Sequence, residues 1–286
     1  MWTASARAKI NLHLAVGARR PDGYHALTTV FQTIDLADTL TMVEHDGPFT
    51  MRCPGSDAPE DDSNLIVRAA RALAAEVGRP EPAGLRVTLE KHVPTQAGLG
   101  GGSADAMAAL RLLCGIWRVP PDRDLLVRVG GRLGSDIPFF AWGGTALGLG
   151  RGDEITPLPA LPSLPCAIVR PPFGVPTADA YRWVAESRRG NPPRDTAFDP
   201  PARADEWLER LAGCCNDFEP VVAARHPDIA EAVATLRAAG ARLALMSGSG
   251  SAVFGLFDDA RTAARAMAPL AERPGWRGWV SATAGA

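Results

Sequence analysis

The sequence predicts an α+β fold in two domains, on three observations. The chain has 286 residues, about twice the roughly 100–150 residues of a common domain. Strand-like and helix-like stretches follow one another in an α+β pattern, with no internal repeat or low-complexity tract. The segment LPALPSLPC, Leu158–Cys166, holds three prolines and no charge, the composition of a semi-rigid crossing. It sets the expected boundary, with residues 1–158 in one domain and 159–286 in the other.

The N-terminal half opens on two apolar-rich stretches, Ala6–Val16 and Ala26–Leu36, joined by ARRPDGYH. Pro21-Asp22-Gly23 is turn chemistry, since proline presets φ and glycine accepts a positive one, so the pair reads as a β-hairpin. Shorter strand-like pieces follow at Thr39–Val43 and Phe49–Arg52. DDSNLIVRAARALAAEVG places Leu65, Ile66, Ala69, Ala70, Leu73 and Val77 at helical spacing behind acidic and Ser/Asn capping residues. Leu85–Leu89 reads as a strand, Ser103–Trp117 and Asp122–Leu133 as helices. In the C-terminal half a strand is expected at Ala167–Arg170, a helix at Ala178–Ser187 and a polar, Pro/Arg-rich loop over Arg188–Arg203. Helical stretches at Ala204–Ala212 and Phe218–Ala239 precede strands at Arg242–Met246 and Ala252–Phe257, joined by SGSGS. A helix over Ala260–Ala271 and a last strand close the pattern.

Composition narrows the function. A formal net charge of -2 and a pI near 6.2 give no general attraction for polyanions, so neither nucleic acid nor an anionic membrane is an expected partner. Asn11 and His13 interrupt Ile10–Val16, and no apolar run reaches the roughly 18 residues of a membrane span, so a soluble protein is expected. The five cysteines, Cys53, Cys114, Cys166, Cys214 and Cys215, are odd in number and lack C-x-x-C spacing, which argues for a reducing cytoplasm over a disulfide framework or a zinc site. His13, His45, His92 and His226 also lack metal-ligand spacing. Only two of the 30 basic residues are lysine, Lys9 and Lys91. Lys9 sits in an apolar strand, where a buried ammonium needs an anion nearby; Lys91 reads equally as a chance surface lysine.

QAGLGGGSADAMAAL, Gln96–Leu110, sets four glycines within five residues ahead of an alanine-rich helical run. Glycine lets the backbone take positive φ and approach a ligand with no Cβ in the way, while the first turn of the helix offers unpaired N–H groups and a partial positive charge. That combination holds phosphate. Gly98, Gly100, Gly101 and Gly102 supply the turn and Ser103 an N-cap or a phosphate and metal contact; an ordinary loop entering a helix remains the alternative. Neither G-x-x-x-x-G-K-[ST] nor G-x-G-x-x-G is present, because no lysine follows the loop and Ser103 stands where the third glycine would be. A second small-residue segment, LMSGSGSAVFG over Leu245–Gly255, puts Ser247 to Ser251 between two apolar strands, and is as consistent with a flexible hairpin as with a ligand loop.

PTQAGLGGGSADA (Pro94–Ala106) and MSGSGSAVFG (Met246–Gly255) resemble the second and third motifs of the GHMP kinases. The resemblance extends over nearly the whole chain through AKINLHL, RPDGYHALTTVFQTIDLADTL, NLIVRAA, LGSDIPFF and CNDFEP. Any one of these is a weak signal; together, in the family's order, they are specific. The chain departs from the wider family at Ser247, where threonine is common, and at Gly101 and Gly102, which replace serines. The resemblance implies an N-terminal mixed α/β domain, a C-terminal ferredoxin-like α+β domain, and an active site in the cleft between them. It implies ATP and Mg²⁺ as cofactors and, from the closer match of G-L-G-G-G-S, a small-molecule alcohol, cytidine diphosphate-linked methylerythritol, as acceptor.

Residue by residue, the resemblance places the nucleotide on Pro94, Gly98, Leu99, Gly100, Gly101, Gly102, Ser103 and Ala104, with adenine near Asn64, Ile66 and Lys91, and Ser103 as the metal contact. It makes Lys9 and Asp136 the catalytic pair. Acceptor contacts would come from Asn11, Tyr24, His25, Asp136, Tyr181, Gly248, Ser249 and Gly250, the tyrosines stacking on the base and His25 bonding its edge. From the residues alone, Asp136 is also a helix N-cap candidate, Asn64 another, Tyr24 and His25 a hairpin rim, and Asn11 a polar interruption of a strand. The polar residues of CNDFEP read as interdomain or helix-capping groups. Competing expectations are a kinase of the same family acting on homoserine, mevalonate or a sugar, and a nonenzymatic nucleotide sensor on the same fold. A monomer or weak homodimer is expected.

Overall fold

The computed structural model describes residues 1–190 and 195–285; positions 191–194 of the loop expected over Arg188–Arg203 lie outside the described residues. In chain order the elements are β1 Trp2–Arg19, β2 His25–Pro48, β3 Thr50–Arg52, α1 Leu65–Glu76, β4 Ala83–Glu90, α2 Gly101–Trp117, α3 Arg123–Gly131, α4 Phe139–Trp142, β5 Thr145–Leu149 and β6 Glu154–Pro157. After the proline-rich segment come β7 Pro165–Arg170, α5 Thr177–Ser187, α6 Trp207–Arg210, α7 Glu219–Ala223, α8 Pro227–Ala238, β8 Leu243–Met246, β9 Val253–Leu256, α9 Ala260–Ala271 and β10 Arg277–Ala282. Two compact units interleave along the chain: Met1–Ala8, Leu36–Thr95 and Gly100–Trp142 form one, and Lys9–Asp35, Gln96–Leu99 and Gly143–Ala286 the other.

In the first unit the C-terminal part of β2 pairs antiparallel with β4, from Thr39↔Glu90 to Glu44↔Leu85, and β3 runs parallel to β4. Both sequences alternate, so Leu40, Met42, Leu85, Val87 and Leu89 point to the buried face. α1 starts where Asn64 Oδ1 accepts the Ile66 N–H at 2.9 Å, which satisfies one of the orphan donors of the first turn. Its apolar stripe, Ile66, Ala69, Ala70 and Leu73, is fully buried, and α1 packs on α2. The alanines explain the match: small side chains on both helices let the axes approach closely.

In the second unit the N-terminal part of β2 pairs antiparallel with β5, from Thr29↔Gly148 to Gln32↔Thr145, and β5 pairs with β6. The four-stranded antiparallel sheet of this unit has the order β10-β7-β9-β8. Counted within that sheet, the strand order is 4-1-3-2 with helices between first and second and between third and fourth, which is the ferredoxin-like arrangement. α8 covers β8 and β9, α9 covers β7 and β10, and the layer between is filled by Val169, Val184, Phe218, Leu236, Phe257 and Leu270 among others.

Several expected elements shift for identifiable reasons. The Thr39–Val43 piece is continuous with the second hairpin strand in β2, because Asp35 and Asp38 interrupt the apolar pattern without breaking the backbone ladder. β5 and β6, to which the sequence reading assigns no element, form a hairpin around Gly150 and Gly152. The helix expected over Phe218–Ala239 is two, α7 and α8: Pro227 has no N–H to donate and His226 takes φ -131°, so the first ends and the second starts there. Ala204–Ala212 likewise resolves into α6 between two short 3₁₀ turns. α2 begins at Gly101, with Gly100 as N-cap at φ 69° and the Ala104 N–H donating to Gly100 O at 2.9 Å. Ser103 is therefore the third helical residue and not the N-cap.

Candidate active site

The glycine segment passes from one unit to the other between Leu99 and Gly100. Gln96, Gly98 and Gly100 all take positive φ, at 50°, 77° and 69°, which turns the chain sharply before α2. In the first unit, Gly100 and the opening turn of α2 present the backbone amides of Gly101, Gly102 and Ser103. Gly102 is exposed, Ser103 half-buried, and Ala104 buried. Amides of this kind at a helix N-terminus carry partial positive charge and bind anions.

Beneath that turn lies a buried ionic cluster. Lys91 Nζ donates to Asp38 Oδ2 and, at 2.9 Å, to Asp105 Oδ2, and a Cβ on Gly101 would come 3.1 Å from the ammonium. Asp38 is completely buried, and its other oxygen accepts the His92 and Val93 N–H groups at 2.6 and 2.8 Å. Burial pushes the Asp105 carboxyl up, to about 7, against the pull of Lys91 and with the help of Asp38. For Lys91 burial works against the charge, but Asp105 and Asp38 outweigh it and its pKa is raised. Lys91 is thus no chance surface lysine.

Asn64 and Ile66 are also placed in this unit. Asn64 uses its oxygen as the α1 cap and its amide on Pro59 O at 2.6 Å, so the capping reading of that residue holds, and Ile66 is fully buried. Pro94 follows Val93, half-buried. Asp136 lies half-buried in the turn that runs from Gly134 into α4, ahead of the buried Ile137 and Phe139. An open cleft of about 420 Å³ on the same unit is lined by Met51, Arg52, Val67 and Arg71 among others, and none of the candidate residues lines it.

The second unit gathers the other candidates around β1. Lys9 is 2% exposed; its ammonium donates to Asn11 Oδ1 at 2.6 Å and Gly98 O at 2.9 Å and lies 5.5 Å from the centre of the Phe31 ring. Asn11 in turn donates to Thr29 Oγ1 at 2.8 Å, and that hydroxyl donates to His13 O at 2.8 Å. The alternation of β1 places Lys9 and Asn11 on one face, two residues apart. Gly98 meets the second glycine segment directly. Ser247 Oγ donates to Gly98 O at 2.9 Å and accepts the Asn11 N–H at 3.3 Å, while the Ala252 N–H donates to Ala97 O at 3.1 Å. A Cβ on Gly98 would lie 2.0 Å from Ser247 O, so this contact alone requires glycine. Gly248 and Gly250 take φ 56° and 92°, and Ser249 Oγ lies 3.1 Å from Thr177 Oγ1. Lys9, Asn11, Gly98 and the Ser247–Gly250 loop are therefore one hydrogen-bonded cluster.

The aromatic candidates form a separate group in the same unit. His25 stacks on Tyr181, 5.4 Å between centroids and 18° between planes, and Tyr181 meets Phe218 edge-on at 4.9 Å. His25 Nδ1 donates to Gly17 O at 3.2 Å, which leaves Nε2 as an acceptor. Tyr24 is 55% exposed, with the Arg151 guanidinium 5.0 Å from its ring centre. Sequence reasoning missed Thr29, Ser247 as a loop pin, Asn216 and Arg151. Thr29 stands in an apolar strand and Asn216 in a short polar motif, which marks both as odd, but only their long-range partners give them a role.

Comparison with known proteins agrees with the fold. The family model for the GHMP kinases N terminal domain matches residues 64–144 and that for the GHMP kinases C terminal domain residues 201–274. The 4-diphosphocytidyl-2-C-methyl-D-erythritol kinase of Moorella thermoacetica is 42% identical over 275 residues, covering 94% of this chain and 95% of that protein. The one from Pelotomaculum thermopropionicum is 42% identical over 270 residues, covering 93% and 92%. A crystal structure of 4-(cytidine 5'-diphospho)-2C-methyl-D-erythritol kinase superposes with a TM-score of 0.80 at 36% identity over 100% of both chains. The chain belongs to the GHMP kinase family.

Proposed function

We propose that the chain transfers the γ-phosphoryl group of ATP to the 2-hydroxyl of 4-diphosphocytidyl-2-C-methyl-D-erythritol, giving the 2-phosphate and ADP, in the methylerythritol phosphate route to isoprenoid precursors. The single observation that carries this reading is the 42% identity to a kinase of that name over 94% of the chain. The Lys9–Asn11–Gly98–Ser247 cluster supplies the chemistry to match.

Phosphoryl transfer through a loose transition state asks the protein for alignment and charge stabilisation. The amides of Gly100 to Ser103 would hold the phosphates, Lys9 would stabilise charge on the group in flight, and Asp136 would orient the acceptor hydroxyl or accept its proton. Asn64, Ile66 and the stem of Lys91 would flank adenine, and Pro94, Leu99 and Ala104 would shape the loop. Asn11 and the Gly248–Gly250 loop would hold the methylerythritol. Tyr24 and Tyr181 would stack on cytosine, and the His25 Nε2 acceptor fits its exocyclic amino donor. Among the described residues no group of three or more His, Cys, Asp or Glu is arranged to hold a metal. Mg²⁺ fits this site as an ion carried on the nucleotide, since it keeps waters and takes few protein ligands; Ser103, half-buried in the first turn of α2, would be its protein ligand, and the ion would neutralise phosphate charge.

We divide the chain at about residue 158, and the family matches at 64–144 and 201–274 fall on either side. A reducing cytoplasm suits its five cysteines; no described helix is long and apolar enough to cross a membrane. A monomer or weak homodimer completes the proposal. An ADP-release assay offering the cytidylated alcohol, homoserine and mevalonate tests the substrate. Turnover should be confined to the first. Turnover on either other alcohol, with none on the first, overturns the acceptor while leaving a kinase.

A further inference from the structure

CNDFEP, Cys215–Pro220, is the one family motif to which the reaction assigns no residue, yet the structure gives each of its polar side chains a target in the segments that carry the cluster. Asn216 is buried. Its amide nitrogen donates to two carbonyls at once, Met246 O at 2.7 Å and Gly248 O at 2.8 Å, and its oxygen accepts the Phe218 N–H at 2.9 Å. Glu219 Oε2 accepts the Met246 N–H at 2.8 Å. Asp217 Oδ2 accepts the Val16 N–H at 2.7 Å and pairs with Arg188 at 2.8 Å. Backbone bonds from Leu14 N to Cys215 O and from Asp217 N to Leu14 O fasten the motif to β1.

The two carbonyls that share the Asn216 amide flank Ser247. A residue whose neighbours on both sides are gripped by one side chain has little freedom left, and Ser247 is the residue whose hydroxyl joins Gly98 O to the Asn11 N–H. Gly98 O is also an acceptor for the Lys9 ammonium. A continuous line of hydrogen bonds therefore runs from Asn216 through the Ser247 loop to the carbonyl that orients Lys9. Bridging two carbonyl oxygens requires a side chain that donates twice, which an amide nitrogen does and a carboxylate of the same shape does not.

We propose that Asn216 is a positioning residue for phosphoryl transfer: by fixing the Met246 and Gly248 carbonyls it sets Ser247 against Gly98 and so aims Lys9 and Asn11. This rests on the reading of Lys9 as the ammonium that acts on the transferred phosphate. Misplacement of a reacting group by about 1 Å costs on the order of 100-fold in rate, so the effect belongs in kcat.

The experiment is steady-state kinetics of the full-length protein with both substrates varied, on Asn216→Asp, Ser247→Ala, the double variant and Lys9→Met, each with a melting curve. Asn216→Asp should lower kcat by about 10- to 100-fold while KM for ATP changes by less than about threefold. The double variant should lose less than the product of the two single losses, because both act on one contact. If Lys9→Met keeps wild-type kcat, the reading of the reaction fails. If Lys9→Met is inactive while a folded Asn216→Asp keeps wild-type kcat, or the two losses multiply, the positioning role is overturned and the reaction stands. Should Asn216→Asp not fold, Ser247→Ala decides alone: a loss of about tenfold in kcat with a melting temperature near wild type supports the proposal, and wild-type kcat overturns it.

Discussion

Lys91 and Lys9 are the chain's only lysines, one in each unit. Lys91 donates to two carboxylates, Asp38 and Asp105, with only 7% of its side chain exposed. Lys9, 2% exposed, donates to two neutral oxygens, those of Asn11 and Gly98. Carboxylates within hydrogen-bond reach consume the charge of an ammonium, and the resulting pair ties segments together. The oxygens of Asn11 and Gly98 hold the Lys9 ammonium in a fixed direction within the cluster that joins β1 to the two glycine segments. The same residue type thus anchors in one unit and, on the proposed reading, catalyses in the other.

Exchanging each for methionine is the most direct way to break the comparison. Lys91→Met leaves Asp38 and Asp105 buried without their cation and should cost about 3–5 kcal/mol of stability, read as a large fall in the denaturation midpoint. Lys9→Met should instead lower kcat by about 100- to 1,000-fold, roughly 2.7–4 kcal/mol of activation free energy, with a smaller loss of stability than Lys91→Met. If the two substitutions gave the same profile, the distinction between anchor and catalyst would be void.

The charge excess around Lys91 sharpens it further. Asp105 has one buried oxygen with no hydrogen-bond partner, and burial raises its pKa to about 7, above the 3.8 of a free carboxyl. A carboxyl with a raised folded pKa contributes stability that is complete below the unfolded value and is lost as pH rises through the folded one. Urea unfolding of wild type and Asp105→Asn at pH 5 and pH 8 should therefore show the balance moving toward the Asn variant with rising pH, by at most about 1.4 kcal/mol per unit. A gap that is constant with pH would mean that Asp105 stays charged throughout. The smallest expected effect is at the aromatic group. Tyr24→Ala should raise KM for the cytidylated acceptor by about 5- to 10-fold, the worth of one stacking contact, with little change in kcat or in KM for ATP; a dominant fall in kcat would place Tyr24 elsewhere in the mechanism.

Much of the fold could be read locally. Asn64 ahead of an apolar stripe marked the start of α1, and Pro21-Asp22-Gly23 marked the first hairpin, because capping and turn geometry depend on a few adjacent residues. The break at Pro227 was just as local and was missed when helical spacing was followed through it. β5 and β6 were missed for a different reason: strands of five and four residues carry little periodicity, and the pairing of β5 with β2 and of β6 with β5 makes them strands. At the site, the glycine loops stood out by composition alone, whereas Asn216 and Ser247 became meaningful only through partners 30 to 236 positions away.

By itself the sequence determined where the backbone must turn tightly and where a helix offers its amides, since glycine's missing Cβ and the open N–H groups of a first turn are properties of neighbouring residues. Packing of distant segments set which oxygens each ammonium meets. Lys91 meets Asp38 across 53 positions and Lys9 meets Gly98 across 89, and the cost of burying an ammonium depends on which oxygens the packed chain brings to it, something no local pattern encodes.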